Sequence, residues 1–512
     1  MHFNKSHNPK TNQELIRQLS GTSVHIETAL LETERFFSRI CTNDTQKTPD
    51  KSRLPRSLSQ KLSEGKWRLT AKTSTVLERT SIKCFSDGQV VPDWIEKLEQ
   101  EYKQLLETIE KEVNVLDFGG VADGKTDCTA AFKSAIGKGR VKVIVPEGVY
   151  IVKEVKLPSN TVILGAGKGK TTLKLHDDAP KSTRLLTNAH HWLGDHHICV
   201  ESMSLDWNVE RLGPVENTSA GGNKSSCLTF ANVTFGWVKD VEGINPGLHC
   251  FDISATKYNY AGDGYRARGS SHYVWLDGLS GFGFGDDGIT THHSDYLFIS
   301  RCHMCCPSGR SHQKGFSNSN GIEVDDGSRN VLLAYNSTAY CFGGVEIKAH
   351  GNSSAASNVQ IVGHLSFHDN RSYNFRHIGH HKHTDAESKS AYNILANQLI
   401  SMEPSFCELY MDSSPRALVV SAYRNVVING LTVIGDPNLD FKRNPICAIQ
   451  YRAKNVVLNQ ISIRNFLNAG PGIKLYGGKN RADFVEIYNV FTDNSIAKPL
   501  EISKDIDHVY NE

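Results

Sequence analysis

Residues 114–127 read NVLDFGGVADGKTD, and a short helical pattern from Thr129 to Ile136 follows them directly. Two apolar runs come next, VKVIVPEGVY at 141–150 and TVILGAG at 161–167, and glycine or proline interrupts each of them. Short apolar runs bounded by such residues are typical of β-strands. A helix placed before them can cover the open end of a stack of strands, whose backbone groups would otherwise stay unpaired.

This order of motifs resembles the opening of the pectate-lyase-like domain, which rhamnogalacturonases, polygalacturonases, alginate epimerases and many phage tail spikes share. The resemblance rests on residues 114–167. It implies a mainly β chain, folded as a single-stranded right-handed parallel β-helix (the pectin-lyase fold) over residues 113–512. It is specific for the fold and leaves the reaction open.

A repeat becomes visible beyond Thr229. Strand-like runs such as Tyr273 to Leu276, Tyr296 to Ile299 and Val331 to Leu333 recur along the rest of the chain. A solenoid grows by adding rungs, so one continuous core can accommodate a chain of 512 residues.

The charge and the N-terminal sequence exclude several classes of protein. A formal net charge of +2 gives no electrostatic case for binding nucleic acid or an anionic membrane. The chain starts MHFNKSHNP, which contains no apolar stretch that would act as a signal peptide, and no apolar run is long enough to span a bilayer. We therefore expect a soluble product made in the cytoplasm.

The twelve cysteines are scattered along the chain, and most are expected to pack inside rungs. The run CHMCC at 302–306 has the spacing of half a metal site, but no second Cys/His pair matches it. Rung packing is the favoured interpretation.

Two regions precede the predicted β-helix. Residues 1–90 are polar and partly helical in pattern, which predicts an attachment or adaptor region. Residues 91–112 place Ile95, Leu98 and Leu105 at heptad spacing. This segment is either a short oligomer seam, as in a homotrimer, or one amphipathic helix lying on the end of the next domain.

Candidate site residues follow from strand register. Aligning the strands that begin at Gly288, Gly321, Gly344 and Asn374 points every second side chain outward, toward solvent. One predicted ladder is Thr290, Glu323, Glu346 and Arg376, and the next is His292, Asp325 and Lys348. Rungs lie about 4.8 Å apart, so neighbouring carboxylates perturb each other's pKa. Such a pair suits glycosidic cleavage, whereas the alternative is a solvated face whose opposite charges only pair.

Polygalacturonase-like enzymes carry a carboxylate, then an Asp-Asp pair about one rung on, then a histidine and a later lysine. The order Asp263, Asp286-Asp287, His312, Lys348 resembles that pattern. The family's Gly-His-Gly is absent, and its Arg-Ile-Lys is replaced by Glu-Ile-Lys at 346–348. We expect the catalytic residues among Asp286, Asp287, Glu323, Asp325, Glu346, Lys348, His292 and His312. Substrate binding is expected at Asp263, Tyr265, His350 and Arg376.

These observations favour a phage or prophage tail-spike glycoside hydrolase that cleaves a bacterial surface polysaccharide or a teichoic-acid-like polymer. Its N-terminal region would attach to a virion or tail component, and no cofactor is expected. A polysaccharide lyase is the nearest alternative, with His292 or Lys348 as base and calcium as a possible cofactor. A non-catalytic receptor-binding β-helix is the other. The histidine-rich run at 376–383 is interpreted as a polar loop beside the groove rather than a metal site.

Overall fold

In this computed structural model, the structure describes residues 3–20, 25–45, 79–257, 261–262, 267–506 and 509–511. The α-helices in these residues are α1 (Asn12–Ser20), α2 (Ile26–Thr45), α3 (Ile95–Thr108) and α4 (Thr129–Ile136). Short 3-10 helices lie at Pro9–Thr11, Val115–Phe118, Val209–Leu212, Ile378–His380 and Gly478–Asn480.

The strands follow one another along almost the whole described chain. The first are β1 (Ile82–Cys84), β2 (Val90–Pro92), β3 (Lys111–Asn114), β4 (Asp123–Asp127), β5 (Val141–Val145), β6 (Gly148–Val152), β7 (Val155–Leu157), β8 (Thr161–Gly165), β9 (Thr171–Leu175), β10 (Leu186–Asn188), β11 (Asp195–Asp206) and β12 (Leu228–Ala231). The next are β13 (Val233–Ile244), β14 (Phe251–Ser254), β15 (Ala261–Gly262), β16 (His272–Asp277), β17 (Ser280–Phe282), β18 (Ile289–Thr291), β19 (Asp295–Ser300), β20 (His303–Cys305), β21 (Asn320–Val324), β22 (Arg329–Ala339), β23 (Gly343–Ala349) and β24 (Asn352–Ser353). The last are β25 (Ser357–Phe367), β26 (Arg371–His377), β27 (Tyr392–Met402), β28 (Arg416–Ser421), β29 (Arg424–Ile434), β30 (Cys447–Gln450), β31 (Lys454–Arg464), β32 (Ile473–Leu475), β33 (Asp483–Thr492), β34 (Leu500–Ile502) and β35 (Tyr510–Asn511).

One parallel sheet of twelve strands runs the length of the molecule, in the order β7, β10, β12, β14, β18, β21, β23, β26, β28, β30, β32, β34. We call it the site sheet. Its leading edge is where these strands begin, and its trailing edge is where they end. The longer strands between its members stack into the other walls of the coil, so each turn of chain adds one rung. The predicted right-handed parallel β-helix is confirmed.

The core forms because side chains alternate across each strand. In β5, Val141, Val143 and Val145 are buried while the residues between them are partly exposed. In the site sheet, Ile289, Ile322 and Val345 stack in register with their side chains buried. Each such aliphatic side chain contributes about 1.5–3 kcal/mol on burial.

Helix α4 covers the first rungs. It buries Phe132, whose ring meets that of Tyr150 in β6 nearly at right angles, 5.9 Å away. The predicted position of this helix, between the first strand and the two apolar runs, is confirmed.

Helix α3 contains the heptad residues, and its apolar side faces the chain's own β-helix. Leu98 and Leu105 are fully buried, and the Tyr102 ring lies 5.1 Å from that of Trp237 in β13. The helix lies along the side of the coil, against β11 and β13, rather than across its end. The heptad spacing is therefore satisfied inside one chain.

Helices α1 and α2 lie on the same side of the coil, farther along it. Asn12 donates to the Tyr335 carbonyl at 3.0 Å, and Thr33 donates to Asn397 at 2.6 Å. Much of the predicted polar stretch, residues 46–78, lies outside the described residues. The division at residues 90 and 112 stays a prediction.

Within the run at 302–306, Cys302 and Cys305 are buried in their rungs and Cys306 is exposed. No helix among the described residues is long and apolar enough to span a membrane.

Candidate active site

Strand register brings a row of polar side chains together on the outer face of the site sheet. Successive strands place Asp252, Thr290, Glu323, Glu346 and Asn374 side by side. The predicted ladder from Thr290 to Glu346 is therefore present.

The predicted rung position of Arg376 is wrong. Its Cα pairs with that of Lys348, because β26 begins at Arg371 and pairs Tyr373, not Phe375, with Val345. The Arg376 side chain nevertheless reaches diagonally, and its Nε donates to Glu346 Oε1.

The row is buried, whereas the sequence predicted solvent-facing ladders. Asp325 and Glu346 are fully buried, and Glu323 is 2% exposed. Loops from distant rungs lie at both edges of the sheet: Phe316 bridges to Tyr410 at the leading edge, and β15 pairs with β24 at the trailing edge. Such contacts between distant rungs do not change the local pattern of polar and apolar residues, so that pattern could not predict the burial.

At the leading edge, Asp286 and Asp287 share one histidine. His249 Nε2 lies 3.7 Å from Asp286 Oδ2 and 3.5 Å from Asp287 Oδ2, and its Nδ1 lies 3.3 Å from Asp252. His312 Nε2 is 2.8 Å from the other oxygen of Asp286. The loop that carries His312 thus reaches back to the carboxylate pair.

The two adjacent carboxyl groups have opposite pKa shifts. Burial opposes ionisation of Asp286, but its interactions with His249 and His312 hold its pKa far below the ordinary value. Burial raises the pKa of Asp287 well above its usual range, and the charges of Asp286 and Glu323 raise it further. The surroundings therefore favour the ionised form of Asp286 and the protonated form of Asp287.

Hydrogen bonds hold the side chain of Asp287, the residue of the pair whose pKa is raised. Asp287 Oδ1 accepts from the Asn320 backbone N–H at 2.9 Å and from its side-chain amide at 3.0 Å. Its other oxygen, Oδ2, lies 3.5 Å from His249 Nε2. The hydrogen bond to Asp286 raises the pKa of His312, and Asp252 and Asp286 raise that of His249 against its burial.

A second Asp-Asp pair, Asp325-Asp326, lies at the trailing edge. Asp325 Oδ2 is 3.5 Å from His292 Nε2, 3.3 Å from His350 Nδ1 and 3.8 Å from Lys348 Nζ. Asp326 accepts from the His350 backbone N–H at 2.9 Å and from the Ser353 hydroxyl.

The same opposition of pKa values occurs here. Burial opposes ionisation of Asp325, but the charges of Lys348 and His350 hold its pKa well below the ordinary value. Burial raises the pKa of Asp326, and so does the charge of Asp325. Lys348 also pairs with Glu323, and these carboxylates raise its pKa well above the usual range despite burial.

The predicted residues thus separate into two groups. Asp286, Asp287 and His312 form an acid–base group at the leading edge. Glu323, Asp325, Glu346, Lys348, His292, His350 and Arg376 form a mostly buried ion-pair network across the sheet and at its trailing edge. Predicted Asp263 and Tyr265 lie outside the described residues, but the adjoining strand β15 pairs with β24, next to His350.

Sequence reasoning missed His249, Asp252 and Asn320 as site residues. The run LHCFD at 248–252 has the pattern of a short buried strand. Asp252 could have been found from the sequence, because it stands one rung before Thr290 in the same ladder.

The histidine-rich run was predicted to be a loop, but its first two residues, Arg376 and His377, end strand β26, and only the rest is a loop. It contains one short 3-10 helix, Ile378–His380, and the His381 ring stacks on Tyr451 at 4.8 Å.

Three groups in the described chain bring potential metal ligands within 4.8 Å of one another: His249 with Asp286 and Asp287, His292 with Glu323 and Asp325, and Asp325 with Asp326 and His350. Calcium takes six to eight oxygen ligands. Each group offers one imidazole nitrogen and only two carboxylates, and Lys348 already pairs with two of the carboxylates. These residues do not fit calcium.

Comparison with known proteins agrees with the fold. Residues 112–235 match the family described as rhamnogalacturonase A/epimerase, pectate lyase-like. The chain is 48% identical over 430 residues to the putative phage-related protein YobO of Bacillus subtilis (strain 168), covering 84% of this chain and 53% of that protein. It is 39% identical over 448 residues to the pre-neck appendage protein of Bacillus phage phi29, covering 86% and 50%.

Among solved structures, the N-terminal fragment of bacteriophage phi29 gene product 12 is 38% identical, with a TM-score of 0.72, over 81% of this chain and 68% of that one. The A-module of the Azotobacter vinelandii mannuronan C-5 epimerase AlgE6 is 14% identical, with a TM-score of 0.54 over 78% of this chain and 99% of that module, which shows a shared fold alone. The chain spans about half the length of the curated relatives it matches.

Proposed function

The chain belongs to the pectate-lyase-like β-helix superfamily, among relatives that are phage appendage and prophage proteins, and on this premise we propose that it is an appendage glycoside hydrolase. Its substrate is a bacterial surface polysaccharide or teichoic-acid-like polymer. The observation that carries the proposal is the Asp286-Asp287 pair, whose pKa values are shifted in opposite directions and whose Asp286 side chain is partly exposed to solvent beside His312. Glycosidic cleavage needs a proton-donating acid and an ionised carboxylate at once.

In the proposed reaction, Asp287 donates its proton to the oxygen of the leaving group as the bond to the sugar carbon breaks. Asp286 accepts a proton from the attacking water, and His312 supports its negative charge. Asp286 is 17% exposed and His312 is 35% exposed, so a polymer can reach both side chains, whereas Asp287 is 3% exposed. General acid–base catalysis of this kind contributes about 10²- to 10⁴-fold to the rate.

The geometry gives less support to a lyase. Such an enzyme needs an available base, and both candidates, His292 and Lys348, already face carboxylates, Asp325 and Glu323 respectively. A lyase of this superfamily often uses calcium to neutralise a uronate, and the carboxylate groups here do not fit that ion.

The relatives support a place in a phage virion or as a prophage product. We propose that the N-terminal region joins a virion component and that the protein acts as a homotrimer. Helices α1 to α3 pack along the β-helix. Binding of the N-terminal region to a virion component must therefore either leave the contacts between these helices and the β-helix in place or replace them with contacts to that component.

The test is incubation of the purified chain with bacterial capsule, wall teichoic acid and pectin, followed by mass spectrometry. We expect fragments that have gained one water from at least one bacterial polymer, and their loss in Asp286→Asn. Asp412→Asn makes the same change at an exposed loop residue and should leave the yield unaltered. Unsaturated fragments would show a lyase, and binding without any fragment would show a receptor-binding β-helix.

A further inference from the structure

Two arginines stand on neighbouring rungs beyond the acid–base group. Arg371 begins β26, Arg416 begins β28, and the two are register partners at the leading edge of the site sheet. In the described part of the chain, no carboxylate lies within 4.0 Å of either guanidinium group. Burial lowers the pKa of Arg371 to about 10, with a further contribution from the charges of Arg376 and Arg416. Two partly buried cations without an anion between them are costly unless something neutralises them.

Unpaired polar atoms lie beside these arginines. Glu346 Oε2, both amide atoms of Asn374 and Arg371 Nε find no hydrogen-bond partner among the described residues. Glu346 and Asn374 are fully buried and adjacent in register. Buried polar atoms are hydrogen-bonded in the great majority of cases. This set offers both donors and acceptors, as bound hydroxyl groups require.

Gly343 allows the Asn320 side chain to approach the backbone closely at the same place. It is the register partner of Arg371 on the preceding strand. A Cβ atom there would lie 2.2 Å from Asn320 Oδ1 and 3.5 Å from Glu346 Oε2. Asn320 Oδ1 is a further buried acceptor with no partner in the described chain.

Aromatic rings border this region. The Phe342 ring lies 5.8 Å from the Arg371 guanidinium and 5.1 Å from the Tyr410 ring. Tyr410 is 37% exposed, and Phe316, which bridges to it, is 53% exposed. Aromatic faces beside hydrogen-bonding groups suit a ligand with one apolar face and polar substituents, such as a sugar ring.

We infer that β23, β26 and β28 carry a second binding subsite, which takes a hydroxylated unit bearing an anionic group, either a carboxylate or a phosphate. Arg371 and Arg416 bind the anion, and Glu346 and Asn374 bind hydroxyl groups. The subsite lies three strands beyond Asp287 along the coil, or about 14 Å at the usual rung spacing. The inference rests on the proposed function and names the substrate class as an anionic polymer.

The test is isothermal titration of the full chain with galacturonate, glycerol 3-phosphate and inorganic phosphate, with galactose as the neutral probe. We expect saturable binding of at least one anion, weaker by about tenfold or more in Arg371→Gln and in Arg416→Gln. Arg464→Gln removes an exposed arginine at the end of β31 and should bind as the unmodified chain does.

Binding of galacturonate alone identifies a carboxylate polymer, and binding of glycerol 3-phosphate and phosphate alone identifies a phosphate polymer. If Arg371→Gln does not fold, Arg371→Lys replaces it as the test variant. Arg371→Lys keeps the positive charge, so its affinity for the anion should stay closer to that of the unmodified chain than the affinity of Arg416→Gln does. No anion binding, binding equal to that of galactose, or binding that survives both glutamine variants would overturn the inference. Titration measures binding without any turnover, so a failed cleavage assay and a failed subsite give different results.

Discussion

The molecule contains two Asp-Asp pairs, at opposite edges of one sheet. Asp286-Asp287 stands where the strands begin, and Asp325-Asp326 stands where they end. In each pair the pKa of one member is lowered and that of its neighbour is raised. The pairs differ in access at one position: Asp286 is 17% exposed, whereas Asp287 is 3% exposed and Asp325 and Asp326 are fully buried.

Their partners are alike in part. Each pair faces two imidazoles, of which one is partly exposed, His312 at the leading pair and His350 at the trailing pair. Only the trailing pair also faces the ammonium group of Lys348 and accepts from the Ser353 hydroxyl. Opposed pKa values alone therefore do not identify a catalytic pair. We assign catalysis to the leading pair because substrate can reach it, and we expect the trailing pair to hold the sheet edge together.

The largest expected effect is on catalysis at the leading pair. Asp287→Asn keeps the shape and the acceptor for Asn320 but removes the proton donor, so turnover should fall roughly a thousandfold. Rates of polymer fragmentation check this, with Asp412→Asn as the matched control. A variant that retains more than about a tenth of the activity would remove Asp287 from the mechanism.

The next effect is on stability at the trailing pair. Asp325→Asn leaves Lys348, His292 and His350 without their shared anion, and we expect the free energy of unfolding to fall by about 3 kcal/mol. Urea denaturation measures it, and Asp412→Asn should change it little. The folded pKa of Asp325 lies below its unfolded value, so its contribution exists above about pH 4 and is lost as the pH falls. The two stability curves should therefore converge in acid, and parallel curves would contradict this account.

A smaller effect is expected from His249, which holds Asp286 in place and in its ionised form at the leading pair. His249 holds Asp286 ionised without reaching solvent, so His249→Gln should raise the pKa of Asp286 and reduce kcat/KM about tenfold. The acid limb of the pH profile should move to higher pH. Asp252→Asn, which acts through His249, should move it less and in the same direction. An unshifted profile with lower activity would indicate a merely structural role.

The smallest effect is expected from Ser353→Ala at the trailing pair. The Ser353 hydroxyl donates to buried Asp326, and losing that hydrogen bond should cost about 1 kcal/mol of stability. Turnover by the folded variant should be unchanged. A loss of activity larger than the loss of folded protein would place the trailing pair in the reaction.

The sequence was sufficient for the fold and for much of the rung register. Residues 114–167 predicted the β-helix, and alternation along the strands correctly placed Glu323 beside Glu346. The register of Arg376 was wrong by two residues, since the run at 371–377 has no leading glycine to mark its alignment.

The environment of the site was not predictable in the same way. Burial of the ladder depends on loops that meet across many residues, such as Phe316 with Tyr410 and β15 with β24. The heptad spacing of α3 was satisfied by the chain's own wall instead of another subunit. His249 and Asp252 reach the carboxylate pair only because the preceding rung stacks against it.

The central claim is that Asp286 and Asp287 hydrolyse a polymer, and an oxygen-18 label tests it most directly. Cleavage of a surface polymer in oxygen-18 water should place one labelled oxygen per bond broken, on the sugar carbon at the new reducing end, and Asp287→Asn should yield roughly a thousandth as much labelled product. Unlabelled reducing ends, unsaturated ends, or an equal yield from Asp287→Asn would contradict the claim.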